Sequence, residues 1–309
     1  MPSPALRATL LAASLGWLLA ASPGHGTDPA AQRSFATPEA AVRALLEAAG
    51  ADSLAAIESI LGPGMLDRLP PAEREAHDRR KATARRLAAE RILVRFDDAE
   101  RSRATILIGP NNFPFPVPLL RRVEGWVYDT EAGLAEVARR QVGENEVRAI
   151  DSLRAFAVAQ AAYRRHDWDG DGVLEYAQRI RSQEGRQDGL YWHEPIAGLP
   201  LTPANAAFAA AEPGAEGEGF TPSAGYAFKV LAAQGEQASG GAKSYLVGGD
   251  MTLGYAALAY PVGYGETGVF TFMTDQTGVV YEKDLGPETI AQAAAITAFA
   301  PDPSWYPVE

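Results

Sequence analysis

The stretch "HDWDGDGVLEYAQ", residues 166–178, holds the residue types best suited to chemistry. Asp167, Asp169 and Asp171 stand at alternate positions, with Gly170 between two of them and Gly172 after the last. Carboxylate oxygens spaced in this way can converge on one hard cation, because the intervening side chains point elsewhere. A glycine at the sixth position permits the sharp turn that such a loop needs. The pattern is the first half of a calcium loop, in which the Val173 carbonyl would be the next ligand. Glu175 would follow, directly or through a water. The twelfth position holds Gln178, where an EF-hand carries a bidentate glutamate. The same residues also read as a solvated acidic turn, since Asp–Gly pairs make turns without any ion. Crowded carboxylates repel one another unless their charge is offset, which favours the cation. Magnesium suits the loop less well, because it tolerates irregular cages poorly.

A second cluster, "DGLYWHEP", brings Asp188, Tyr191, Trp192, His193 and Glu194 together in sequence. His193 beside Glu194 or Asp188 would make a general base; otherwise the aromatics anchor a turn on a sheet. His166 borders the aspartate loop and could orient it. Loop carboxylates acting with His193 define one function, a hydrolase of an envelope polymer working through carboxylates. Against it, no H-E-x-x-H, G-x-S-x-G or S-x-x-K pattern occurs, and there is no cysteine. "GYGETG" (263–268) does not lead from a strand into a helix and reads as a turn rather than a phosphate loop. Tyr260, Tyr264, Phe270 and Phe272 alternate along strands, as core residues or as the lining of a groove. The net charge of -11 argues against nucleic acid and anionic membrane surfaces as partners. The basic residues look scattered, and "RRKATARR" (79–86) reads as a solvated helix face. The balance favours a protein that binds or assembles without catalysing.

Elements must hold these residues in place. The chain opens with Arg7, an apolar run Leu10–Ala21 and then small residues, the pattern of a secretory signal covering residues 1–26 with cleavage before Thr27. That run is short for a membrane span, and no later stretch is long and apolar enough to cross a bilayer, so a periplasmic or secreted protein is expected. Helices are expected from Thr37–Pro38, from an Asp52 cap, and over 71–90. Strands follow at 91–96 and 103–109, then a proline-rich bend and a hairpin over 117–129 that turns near Glu124–Gly125. Helices followed by a small antiparallel sheet make residues 27–140 an α+β domain, cystatin-like or NTF2-like by analogy. The second domain, 141–309, should begin with a helix capped by Asn145 that ends at the aspartate loop. Residues 195–224 read as a long surface excursion. Strands at 225–233, 243–249, 254–261 and 268–284 and a closing helix from Pro287 complete an α+β chain.

Several runs carry a family resemblance. They are "FATPEAAVRALLEAA", "FPFPVPLLRRVEGWVYDTEAG", "AIDSLRAFAVAQAAYRRHDWDGDGVLEYAQRI", "DGLYW" and "YPVGYGETGVFTFMTDQTGVVYEKDLGPET". Through them the chain resembles the bacterial family known as domain of unknown function 2950. The resemblance implies an exported envelope protein and no particular reaction. The order "SLRAFAVAQAAY", "GYAFKV", "ALAYPVGYGETGVFTFMTDQTGVV" is similar to the soluble part of type IV pilins and pseudopilins, where a helix packs on an antiparallel sheet. Pilins carry a continuous apolar helix before that region. Here Glu131, Glu136, Arg139, Arg140, Glu144 and Glu146 precede it, so filament assembly does not follow from the likeness.

Overall fold

The computed structural model describes residues 32–69, 71–192, 202–213 and 221–308, with the side chains of 71–80 left aside. The signal sequence expected at 1–26 and the pair His193–Glu194 lie outside the described residues. The chain divides into two compact units, the first ending at Leu134 and the second starting at Ala135.

The first unit opens with α1 (Pro38–Gly50), whose Thr37 hydroxyl accepts from the Ala40 N–H. Next comes α2 (Leu54–Leu61), capped by Ser53, which accepts from the Ala56 N–H at 3.3 Å. Asp52, the expected cap, stands one residue earlier in the left-handed region (φ 51°) and pairs with Lys81 at 2.8 Å. Then α3 (Pro71–Glu90) leads to β1 (Ile92–Phe96), β2 (Arg103–Ile108), β3 (Phe113–Pro114), β4 (Leu119–Arg122) and β5 (Gly125–Tyr128). The sheet is antiparallel in the order β1-β2-β4-β5, with β3 also on β2. Thus the proline-rich bend contributes a short strand. Alternation along β2 turns Ala104, Ile106 and Ile108 inward, where they meet Ile57, Ile60 and Leu61 of α2 in one core.

The longest element, α4 (Thr130–Tyr163), is one helix of 34 residues. The helix expected to begin at an Asn145 cap starts instead at Thr130. No proline interrupts 130–163, and the two glycines there do not suffice to break a helix. Asn145 is buried in mid-helix, accepts from Gln141 Nε2 at 2.8 Å and donates to the Thr267 carbonyl at 3.0 Å. Glu146 beside it accepts the Val269 N–H at 2.9 Å, so α4 is held to the strand that follows.

Beyond α4 come the parallel pair β6 (Arg179–Arg181) and β7 (Gly189–Tyr191), then α5 (Ala206–Ala210). The surface excursion expected over 195–224 is corrected for residues 202–213; 195–201 and 214–220 lie outside the described residues. Phe208, Ala209 and Ala211 are buried, and the Phe208 ring meets Phe228 edge-on at 4.9 Å. Glu212 accepts the Ile180 and Arg181 N–H groups at 2.9 and 2.7 Å, which ties this segment to β6. Next in chain order are β8 (Tyr226–Leu231), β9 (Ala233–Gln234), β10 (Lys243–Ser244), β11 (Leu246–Val247), β12 (Asp250–Met251), β13 (Ala256–Pro261), β14 (Phe270–Asp275) and β15 (Val280–Asp284). Last come α6 (Thr289–Ala295) and β16 (Tyr306–Pro307). The main sheet is antiparallel, ordered β16-β15-β14-β13-β8. Every residue of β13 is buried, so the sheet is covered on both faces. Leu153, Phe156 and Tyr163 of α4 join its core, while Lys229 reaches the Ala293 carbonyl of α6 at 2.9 Å. Of the alternating aromatics, Tyr260 and Phe272 are core residues. The closing helix begins after Pro287 and is shorter than expected. The architecture is α+β throughout, and no helix among the described residues is long and apolar enough to cross a membrane.

Candidate metal centre

The aspartate loop begins where α4 ends. The Trp168 indole N–H donates to the Tyr163 carbonyl at 2.8 Å, which satisfies one of the helix's last carbonyls. The Trp168 ring leans on Tyr163 at 5.6 Å and on the buried Trp192 at 4.8 Å, and His166 stands over it at 5.1 Å. Arg164 lies over the Tyr176 ring at 4.7 Å and donates to its hydroxyl at 2.8 Å, joining the start of the loop to its end.

Within this frame the backbone curls around Asp167. One carboxylate oxygen accepts the Gly170 N–H at 2.8 Å and the other accepts the Gly172 N–H at 2.9 Å. Gly170 and Gly172 have φ of 79° and 90°, a region open to glycine and costly for other residues. Asp171 accepts the Val173 N–H at 2.7 Å, and Asp169 the Asp171 N–H at 3.3 Å. The result is convergence: Asp167, Asp169 and Asp171 each bring one carboxylate oxygen into a group whose members lie within 4.8 Å of one another. All three are exposed. The Gly172 and Gly170 N–H groups hold the Asp167 carboxyl below the ordinary aspartate range.

Glu175 stands outside that group of three. Its carboxylate accepts the Met251 N–H of β12 at 3.2 Å. Burial pushes its pKa up, the Met251 N–H and Gln178 pull it down, and the negative charges of Asp250 and Asp169 raise it again. Gln178, at the twelfth loop position, donates to the Gly249 carbonyl at 2.7 Å. Glu175, the expected ligand, and Gln178, which stands where an EF-hand has its glutamate, therefore clasp the β11–β12 hairpin, and Tyr176 bridges to Met251 beside them. Sequence reading could not find this partner, which lies some seventy residues along the chain. Trp168 was also missed as a loop anchor, although a tryptophan between two aspartates is a visible signal. Asp188 accepts the Gln183 N–H at 2.8 Å and faces Arg179 at 3.8 Å, which makes it a turn residue. "GYGETG" closes a tight connection from β13 to β14, with the Gly265 N–H on the Gly268 carbonyl at 2.8 Å.

Such an arrangement offers oxygen ligands and an exposed approach, the chemistry of a hard-cation loop on an α+β scaffold. The comparison with known families is specific: residues 32–308 match the family described as protein of unknown function (DUF2950), and the chain belongs to it. No curated protein and no solved structure matches it.

Proposed function

We propose that this is an exported envelope protein that acts by binding or assembly, and that its 167–175 loop holds one calcium ion. The observation that carries the reading is the convergence of the Asp167, Asp169 and Asp171 oxygens within 4.8 Å on a loop shaped by its own N–H groups. Asp167, Asp169 and Asp171 would be direct ligands, the Val173 carbonyl a fourth, and Glu175 a ligand once it leaves the Met251 N–H. Calcium accepts six to eight oxygens in flexible geometry, so water completes the shell. A loop without a twelfth-position carboxylate binds weakly, with a dissociation constant on the order of 10⁻⁴ to 10⁻³ M, as in extracellular modules. The ion would fix the end of α4 and the neighbouring hairpin, and so stiffen the second unit rather than perform a reaction. The long helix beside an antiparallel sheet supports a pilin-like ancestry for that unit, and the charged first half of α4 argues against a filament.

Terbium luminescence tests the loop directly, because Trp168 stands between two of the ligands in sequence and can sensitise a bound lanthanide. Terbium emission under tryptophan excitation should appear, fall as calcium is added, and vanish in Asp169→Ala/Asp171→Ala. Emission that calcium does not displace, or that survives the double substitution, removes the reading.

A further inference from the structure

In the first unit, three arginines that look scattered in sequence each stand beside an aromatic residue of one sheet end. The inward face of its sheet is defined by the cross-strand rows Phe96–Ala104 and Ala104–Leu119–Tyr128. Strand alternation places Arg121 and Trp126, which are cross-strand partners, on that same face. Trp126 is buried, and Phe35 joins it through two backbone hydrogen bonds of 2.9 and 2.7 Å. Phe96 leans on Trp126 at 5.9 Å. Three aromatics thus continue the core row to the end of the sheet, and arginines lie against them. The Arg101 guanidinium stands 3.9 Å from the centre of the Phe96 ring, and that of Arg33 stands 4.9 Å from Phe35. Arg121 sits opposite Trp126, and Arg33, Arg101 and Arg121 are all exposed.

Their charge is left over. Nearby Arg95 and Arg103 are paired with Asp97, and Arg103 also with Asp129. Arg33, Arg101 and Arg121 form no ion pair among the described residues. Of the acids in the adjoining turns, Asp98 accepts the Ser102 N–H and hydroxyl at 2.7 and 2.8 Å, while Glu100 and Glu124 are exposed and take no part. Arg101 also holds a left-handed backbone (φ 52°), which glycine or asparagine adopts more readily. An aromatic face beneath a guanidinium fixes its plane and leaves its N–H edge free. That edge matches an oxyanion in a two-bond fork.

We propose that Arg33, Arg101 and Arg121 form a binding site for a phosphate group. A tetrahedral phosphate offers acceptor edges in several directions, whereas a carboxylate offers one planar edge. The overall charge of -11 disfavours a long polyanion such as nucleic acid, so the ligand is a compact phosphate, free or carried on a lipid headgroup.

The test uses the full chain and two probes, inorganic phosphate followed by ³¹P line broadening, and sedimentation with phosphatidylcholine vesicles with or without phosphatidylglycerol. Arg101→Gln and Arg121→Gln should each weaken binding about tenfold, and Arg154→Gln, an exposed arginine of the other unit, should leave it unchanged. Arg121→Lys should also weaken it, because a lysine keeps the charge and loses the fork. Circular dichroism melts of each variant check that the fold is retained. Binding of phosphate alone supports a soluble ligand, and added binding to phosphatidylglycerol vesicles supports the headgroup. The proposal is overturned if neither probe binds, or if folded Arg101→Gln and Arg121→Gln bind as the parent does.

Discussion

The same substitution at two glycines of α4 should have opposite signs. Gly143 lies in the middle of the helix, and a Cβ built there meets nothing within 4 Å. Alanine in a helix interior is favoured over glycine by about 0.8–1.0 kcal/mol, so Gly143→Ala should stabilise the second unit by about that much. For a unit of this size the melting temperature should rise by about 2–4 °C. Gly133 has the same helical preference working for it. Its added Cβ, however, would stand 2.8 Å from both methyls of Val117, a buried residue with a stiff side chain. Overpacking of that kind costs about 1–3 kcal/mol, which exceeds the gain in propensity. Gly133→Ala should therefore destabilise the first unit by up to about 2 kcal/mol. Urea titrations give the two signs, and amide hydrogen exchange around each position assigns them to the correct unit. A neutral or destabilising Gly143→Ala would mean that α4 is broken near that residue. A stabilising Gly133→Ala would mean that Val117 is free to move.

Acidification should first strengthen the second unit. Burial, followed by like charge from Asp284 on Glu146 and from Glu146 on Glu282, raises both carboxyls above the ordinary value of 4.5. A raised carboxyl means the folded state binds its proton more tightly than the unfolded chain does. Stability therefore grows as pH falls through the folded value and levels off near 4.5; melting curves should show this, and Glu282→Gln should flatten the rise, while a steady fall in stability from neutral pH would refute it. Gln160 is fully buried and clasps both the N–H and the carbonyl of Ala177, at 2.9 and 2.8 Å. Gln160→Ala orphans both groups and should cost about 2–4 kcal/mol in denaturation experiments; a loss under about 0.5 kcal/mol would show that water replaces the clasp. Protein recovered from its own host should begin near Thr27 by mass spectrometry, and an intact Met1 on exported protein would rule out the secretory reading.

The periodic elements were legible in sequence because their physics is local. Thr37–Pro38 opens α1 as its residue types dictate, and the hairpin turn expected near Glu124–Gly125 falls between Arg122 and Gly125, within a residue of that place. The aspartate triad was legible for the same reason, since Gly170 and Gly172 fix the backbone around carboxylates that are neighbours in the chain. What escaped depends on partners far away. Asn145 is a good cap by type, yet the Thr267 carbonyl holds it in the interior of a continuous helix. The segment around Phe208 is poor in regular pattern, and distant partners such as the Phe228 ring and the Ile180–Arg181 N–H groups draw it into the core. Glu175 fits a ligand position by spacing, while the Met251 N–H, invisible in the local sequence, holds its carboxylate. The place of Arg121 opposite Trp126 escaped for this reason too, because only strand pairing sets it there.

Calcium-dependent melting of the full chain tests the central claim most directly. An ion that binds the folded loop and not the unfolded chain adds about 2.7 kcal/mol at a hundredfold excess over its dissociation constant. With millimolar-range affinity the practical excess is smaller, about tenfold, and the expected gain is near 1.4 kcal/mol. That is a rise of about 3–6 °C in the second unit's transition. The rise should disappear with EDTA and be absent in Asp169→Ala/Asp171→Ala. An unchanged transition across EDTA and millimolar calcium, with no heat on calorimetric titration, would contradict the claim and leave the aspartates as an acidic turn.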